Sequence, residues 1–556
     1  MLQRNAIFIV LGVFILLYIL PLGVRPLFVD DEARYGEIPR EMIVSGDWVV
    51  PRLNGLRYFE KPVLGYWLNG ASIMFFGETA FAVRLPSALS AGLSALFVFL
   101  LLRSRTKKEN NLVAPLGALV FLTCFEVYAI GTFAVLDTML SFFLTGAMFF
   151  FFFALTAQPG SWRERGFLAG AGFFCGLAFL VKGFLAFVVP GLAVAGYLVW
   201  QRRFVDLLRM AWLPLVVAFL TALPWGLLIH QREPDFWNFF FWNEHVRRFL
   251  GEADQHTEPF WYFMAIVPGV LLPWSFAIPA ALSGLKNEYR ALPGRNDLIR
   301  FSTCWLVLPF LFFSASSGKL VPYILPCFPP FAILLTLGFA PNLGKKDNKL
   351  LKWGAAVAAI LFGFLLLVFI GIHLIRYDDF FIYSDFENWF AIAAALSVMC
   401  LFLLLAVRFR KNVWKIIFLG LSPVFLFIAL QFNMPDEALQ SKDLGTLLEQ
   451  HYSDVMPETI ILAGGNTSRT VCWIFKRDDI ILLAHPYELE YGVNHDERGG
   501  RVLITGPDEI AEKINRNRGQ IVLVARKRHY EEWLPSLPEP TAFYSSGPKG
   551  YVFVKY

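Results

Sequence analysis

Charge is scarce in this sequence: 17% of its 556 residues are Asp, Glu, Lys or Arg, where a soluble domain carries about 25%. The 49 basic residues exceed the 44 acidic ones by only five, too small an excess for a nucleic-acid-binding surface, so no nucleic-acid partner is expected. Cysteine is sparse as well. The six, at 124, 175, 304, 327, 400 and 472, form no CxxC pair, which excludes a zinc ribbon, a thioredoxin-like site and a disulfide scaffold. The eight His include no HExxH spacing. There is no P-loop, GxGxxG turn, solenoid repeat or low-complexity tract.

What fills the space is apolar: 56% of the residues are hydrophobic, with 58 Phe and 16 Trp. No soluble core buries that much surface, so the main solvent is a bilayer. Apolar runs of membrane-spanning length predict about thirteen helices, near 6–24, 82–102, 112–131, 136–156, 166–182, 184–200, 211–229, 261–282, 301–316, 320–339, 353–374, 389–407 and 414–431. The first resembles a signal sequence but lacks an A-x-A-like site and opens a long series of spans, so it is read as retained.

Lys and Arg set the expected orientation. With the N-terminus in the cytoplasm, six inner loops (103–110, 161–166, 201–209, 284–300, 344–352 and 407–415) hold 21 basic residues. The short outer loops hold Lys182 and Lys319. An odd number of spans then puts the C-terminus outside. The long outer segments are 25–81, 230–260, 375–388 and the tail. From about 435 the composition changes to short β-like runs (TIILAG, VCWIF, DIILLA, RVLIT, QIVLVA, YVFVK) with helical stretches between them. This predicts a membrane domain over 1–434 and a small extracytoplasmic α/β domain over 435–556.

The scarce charges cluster in the outer segments. Asp30, Asp31 and Glu32 follow the first span immediately; they read equally as the acidic cap of a helix near 32–44 or as catalytic carboxylates. Glu60 and Lys61 stand before the next apolar stretch, where a lysine either snorkels or holds a phosphate. Asp137 begins a span as either a helix cap or a second site acid. Paired acids at the bilayer midplane and an inverted repeat, the marks of a lipid or sugar transporter, are not found.

Taken in order, these segments resemble the C-type glycosyltransferase fold, in its protein O-mannosyltransferase-like branch, which includes bacterial aminoarabinose transferases acting on lipid A. The resemblance runs through the Asp31-Glu32 pair, Glu60-Lys61-Pro62, the 134–139 and 179–183 segments, Asn243-Glu244-His245-Val246-Arg247-Arg248, the 254–256 segment and the 314–326 stretch, covering about residues 1–340. It implies an inverting transfer from a sugar carried on undecaprenyl phosphate to lipid A, outside a bacterial inner membrane. Mannosyl or other glycosyl transfer to protein or glycan hydroxyls is the alternative. It also implies roles. Asp31, with Glu32 and Asp137, supplies the catalytic carboxylates, and the register between Asp30 and Asp31 stays open. Lys61, Lys182, Arg247, Arg248, Lys319 and Tyr323 hold the donor phosphate, with Arg247 and Arg248 not separable. Glu60 and His245 are the candidate ligands of a bound zinc ion, although no cofactor is expected to be required.

Overall fold

The computed structural model describes residues 2–29, 31–106, 112–247, 257–291, 293–375 and 381–556. Among these, nine helices are long and apolar enough to cross a membrane, and eleven if each of two bent pairs counts as one span. Two shorter apolar helices, Asn5–Ile19 and Leu185–Trp200, coincide with the remaining expected spans. The chain is a polytopic helical membrane protein with a C-terminal α/β domain. Side chains such as Ile360, Phe364 and Leu367 face outward on the helix Lys349–Ile375, as a lipid-facing surface requires.

The two bends meet each other. Val113–Leu122 and Phe125–Gly131 are inclined by 63°, and Tyr262–Val270 and Trp274–Asn287 by 92°. At the contact, the Phe125 amide donates to the Leu272 carbonyl (2.9 Å) and the Trp274 indole to Thr123 Oγ1 (3.0 Å). One backbone amide and one backbone carbonyl at the breaks are thus paired inside the protein, as irregular chain at membrane depth requires. Three buried hydroxyls, Ser90, Ser94 and Thr145, each bond the carbonyl four residues back.

The two ends of the helices differ in charge. At one end, Arg203 bonds the Leu155 carbonyl, Arg209 pairs with Glu164 at 2.8 Å, and Arg300 reaches Gln201. These groups belong to the expected inner loops. At the other end lies the first long loop, built from the helix Glu32–Ser45, a hairpin of β1 (Arg52–Leu53) and β2 (Leu56–Arg57), and the helix Leu64–Phe76. Asn54 and Gly55, at φ +57° and +70°, make the two-residue turn that antiparallel strands favour.

The tail folds as a six-stranded sheet, β3 (Ile460–Gly464), β4 (Ile481–Leu483), β5 (Leu503–Ile504), β6 (Ile521–Arg526), β7 (Ala542–Ser545) and β8 (Tyr551–Lys555). Its order is β5-β4-β3-β6-β8-β7, with β5 to β6 parallel and the β8-β7 pair antiparallel. One expectation fails here. VCWIF, read as a strand, lies in the helix Ser468–Phe475. Val471, Cys472 and Phe475 pack on the sheet side while Trp473 lies against Gly36 of Glu32–Ser45, so the run is apolar on two faces rather than alternating.

The sheet domain docks on the first loop. Asn54 exchanges two hydrogen bonds with the Ile480 backbone, at 2.8 and 2.9 Å. The Arg57 amide donates to Asp496 (2.8 Å), and Lys476 pairs with Glu78 (2.8 Å).

Candidate active site

The Asp31-Glu32 pair divides its work at the start of Glu32–Ser45. Glu32 is fully buried, and its carboxylate accepts from Arg25 (2.6 Å), twice from Arg84 (2.7 Å each), and from the amides of Phe28 (3.0 Å) and Ala134 (2.9 Å). Burial opposes its charge, but the two guanidiniums prevail and hold the carboxyl down at about 2. It ties the first loop to the helices around it. Asp31 occupies the N-cap position, yet its side chain makes no capping bond. The carboxylate is half exposed and pairs instead with Arg34 Nη2 at 2.6 Å. Acid and base at this i,i+3 spacing share one helix face.

Arg34 is the hinge of a wider network. Its Nη1 reaches the Tyr58 hydroxyl (3.4 Å) and pairs with Glu488 of the tail domain. Glu488 is also held by Arg469 at 2.8 Å and accepts from the Tyr58 hydroxyl at 3.2 Å. Burial works against the Glu488 charge, but Arg34 and Arg469 bring its carboxyl down to about 2. The Tyr58 hydroxyl lies 3.0 Å from Glu60. Burial and the charges of Glu488 and Glu244 push the Glu60 carboxyl up to about 7, against Lys61 and Arg34.

Two lysines are held by carboxylates. Lys61 bonds Glu244 at 2.6 Å and the Glu60 carbonyl at 2.9 Å. Lys182, the last residue of Trp162–Lys182, pairs at 2.6 Å with Asp137 in the first turn of Leu136–Thr156, and its ammonium stands 4.9 Å from the centre of the Tyr323 ring. Tyr35 joins the two halves. Burial raises its hydroxyl above the ordinary range, and the fields of Asp31, Asp137 and Glu488 raise it further against Arg34. Asp31 and Asp137, the partner of Lys182, thus act on one hydroxyl, and Lys61 acts on Glu488 and Glu60 beside it.

Lys319 is anchored differently, donating to the Glu258 carbonyl (2.6 Å) and to that of Ser316. Arg247 ends the helical segment Phe239–Arg247, with Nη1 at 3.5 Å from Asn243 Oδ1. Asp30, Arg248, the 254–256 segment and the side chain of His245 lie outside the described residues. Among the described residues no three His, Cys, Asp or Glu side chains converge on a metal position. Lys61 brings its own positive charge to Glu244 and to the Glu60 backbone, and the expected pairing of Glu60 with His245 falls outside the described residues.

Four network members were not singled out from sequence: Arg34, Tyr58, Arg469 and Glu488. Arg34 lies three residues after Asp31 and Tyr58 two before Glu60, which is a usable local signal. Arg469 and Glu488 stand more than 400 positions from the helix they serve, and nothing local marks them.

Residues 6–240 match the family described as dolichyl-phosphate-mannose-protein mannosyltransferase, and residues 439–554 the ArnT arabinosyl transferase C-terminal domain. The fold superposes on a crystal structure of ArnT from Cupriavidus metallidurans bound to undecaprenyl phosphate, with a TM-score of 0.80, 23% identity, and 99% and 98% of the two chains covered. The fold is thus that of a polytopic glycosyltransferase of the C-type architecture, in line with the family match over residues 6–240. An undecaprenyl phosphate-alpha-4-amino-4-deoxy-L-arabinose arabinosyl transferase of Shewanella sediminis is 38% identical over 95% of this chain and 94% of its own length. The corresponding protein of Aeromonas salmonicida is 37% identical over 92% of each. The chain belongs to this arabinosyl transferase family.

Proposed function

We propose that the protein transfers 4-amino-4-deoxy-L-arabinose from undecaprenyl phosphate to a phosphate of lipid A, at the periplasmic face of a bacterial inner membrane. In this orientation the N-terminus is cytoplasmic and the tail domain periplasmic, with the basic loops inside. The observation that carries the reading is the chain's relation to arabinosyl transferases over nearly its whole length, and the Lys182–Asp137 pair at 2.6 Å and the half-exposed Asp31 carboxylate supply the charged groups it needs.

The chemistry follows from where charge grows. An acceptor phosphate oxygen attacks the anomeric carbon with inversion, the bond from that carbon to the donor phosphate oxygen breaks, and undecaprenyl phosphate leaves with the bonding electrons. Negative charge develops on the leaving phosphate, where fixed cations stabilise the transition state more than the ground state. Lys61 and Lys182, already oriented by Glu244 and Asp137, are the main cations. Arg247, Arg248, Lys319 and Tyr323 complete the phosphate side.

A lipid A phosphate is largely anionic at neutral pH, because the second pKa of a phosphate monoester is about 6. Asp31 then orients the acceptor, takes its last proton where one remains, and faces the positive charge that builds on the sugar ring. Glu32, with its oxygens already engaged in a buried cluster, positions Asp31 rather than touching substrate. No step requires a metal, and Glu60 serves as a hydrogen-bond partner of Tyr58.

Purified protein in proteoliposomes tests the reading. It should move aminoarabinose from its undecaprenyl phosphate carrier to lipid A and leave a polyprenyl-linked mannose and a Ser/Thr peptide unreacted. Transfer of mannose alone, to the peptide, would replace this function with the protein-modifying one.

A further inference from the structure

The membrane domain does not complete the surroundings of Asp31 by itself. Arg34 is buried, with 12% of its side chain exposed, while its partner Asp31 is 51% exposed. A buried guanidinium is costly unless paired, and a half-exposed, solvent-screened carboxylate pairs it weakly. The counter-charge that is itself buried comes from Glu488, 15% exposed.

The tail presents Glu488 for a structural reason. The loop after β4 passes through Ala484 and Tyr487, at φ +65° and +50°, before the turn Tyr487–Leu489. Leu489 is buried in the same apolar cluster as residues of the membrane domain. Gly465, after β3, lies so close to the His485 carbonyl that a Cβ there would approach it to 2.1 Å. Arg469, on the helix that follows β3, closes on Glu488 from behind at 2.8 Å. Both charged groups therefore leave the carboxyl-terminal ends of neighbouring parallel strands, the edge on which open α/β sheets carry functional groups.

We propose that Glu488 and Arg469 are positioning residues for sugar transfer, Glu488 fixing the Arg34 guanidinium that in turn sets the place of the Asp31 carboxylate. The active site is then made by both domains. The inference rests on the reading of Asp31 as the carboxylate that acts at the acceptor. A guanidinium is a planar, rigid fork. With Nη1 held by Glu488 and Tyr58, the direction of Nη2 is determined, and Asp31 follows it.

Mere attachment of the tail does not need this pair. Asn54 with Ile480, Arg57 with Asp496, Lys476 with Glu78, and Trp473 against Gly36 hold the two domains together independently. Loss of Glu488 therefore affects the alignment of Asp31 and leaves docking in place.

The test uses full-length protein in proteoliposomes with undecaprenyl-phosphate-linked aminoarabinose and lipid A. Glu488→Gln should lower kcat by about ten- to a hundredfold, the scale of a small misalignment, with donor KM within about threefold of wild type. Glu488→Asp, which keeps the charge, should recover part of the loss. Arg34→Lys, which cannot bridge both carboxylates, should show the same kcat defect. Resistance of the tail to proteolysis at the assay temperature should match wild type in all three, while Glu488→Gln lowers the thermal midpoint by leaving Arg34 and Arg469 beside a neutral group. Full kcat in both Glu488→Gln and Arg34→Lys, while Asp31→Asn is inactive, overturns this inference and leaves the function standing. A kcat loss that tracks release of the tail to protease also overturns it, in favour of docking alone. A wild-type protein that transfers nothing between these substrates overturns the functional reading, and this inference with it.

Discussion

The Lys182 ammonium stands 2.6 Å from Asp137 and 4.9 Å from the centre of the Tyr323 ring. The carboxylate and the ring hold a cation at a helix end, and the proposed function makes it a partner of the leaving phosphate. Lys182→Ala should reduce kcat by about a hundred- to a thousandfold, as loss of one fixed transition-state partner does elsewhere. Lys182→Arg should retain more activity than Lys182→Ala. Steady-state kinetics with varied donor would show it, and an unaltered kcat in Lys182→Ala would remove Lys182 from the phosphate side.

Asp31→Asn should lower kcat/KM by at least about a hundredfold, in the range of general acid-base contributions. If Asp31 takes the last acceptor proton, the residual activity should climb relative to wild type as pH rises through about 6, where the phosphate loses that proton unaided. A pH–rate profile of the two proteins decides this, and parallel profiles assign Asp31 to orientation and sugar charge alone.

Glu32→Gln should destabilise the protein by about 3–5 kcal/mol, because it leaves Arg25 and Arg84 buried around a neutral group. The wild-type cluster has a defined pH window. The folded carboxyl titrates at about 2, below its ordinary 4.5. Its stabilisation is therefore complete above the ordinary carboxyl range and is lost as pH falls from there through about 2. Thermal unfolding across acidic pH should show a steeper decline for wild type than for Glu32→Gln.

Glu41 behaves in the opposite sense. It accepts from the amides of Asn54 (2.6 Å) and Gly55 (3.1 Å), and burial, with Glu37 and Asp478 nearby, pushes its carboxyl up to about 8. Here the folded state holds a proton that the unfolded chain releases near 4.5, so this contribution to stability falls as pH rises from there to about 8. Amide exchange of the 52–57 hairpin, corrected for intrinsic rates, should lose protection between pH 6 and pH 9. Constant protection would show that Glu41 is ionised throughout.

Each of the thirteen expected spans coincides with an apolar helix or a bent pair, because lipid exposure writes itself into consecutive residues. Lys61, Asp137 and Lys182 were legible for a related reason, since a charge at a span end in an apolar chain is conspicuous. The bends at Thr123 and Pro273 were not, because they contact each other across about 150 residues of chain, through one backbone bond and one side-chain bond. Ser468–Phe475 was misread as a strand because it is apolar on two faces, one toward the sheet and one toward Gly36. The edge strand Ala542–Ser545 is mostly exposed and lacks an apolar alternation strong enough to announce it. The reach from Arg34 to Glu488 had no local trace, since the tail meets Arg34 only by folding back over the first loop.

The central claim is aminoarabinose transfer to lipid A with Asp31 as the acceptor-side carboxylate, and mass spectrometry of lipid A tests it most directly. Cells that make the undecaprenyl-linked donor but lack a transferase of their own should, on expressing this protein, acquire lipid A heavier by one or two aminoarabinose residues. Asp31→Asn, expressed at the same level, should leave lipid A unmodified. Lipid A unchanged by the wild-type protein, or modified equally by Asp31→Asn, would contradict the account.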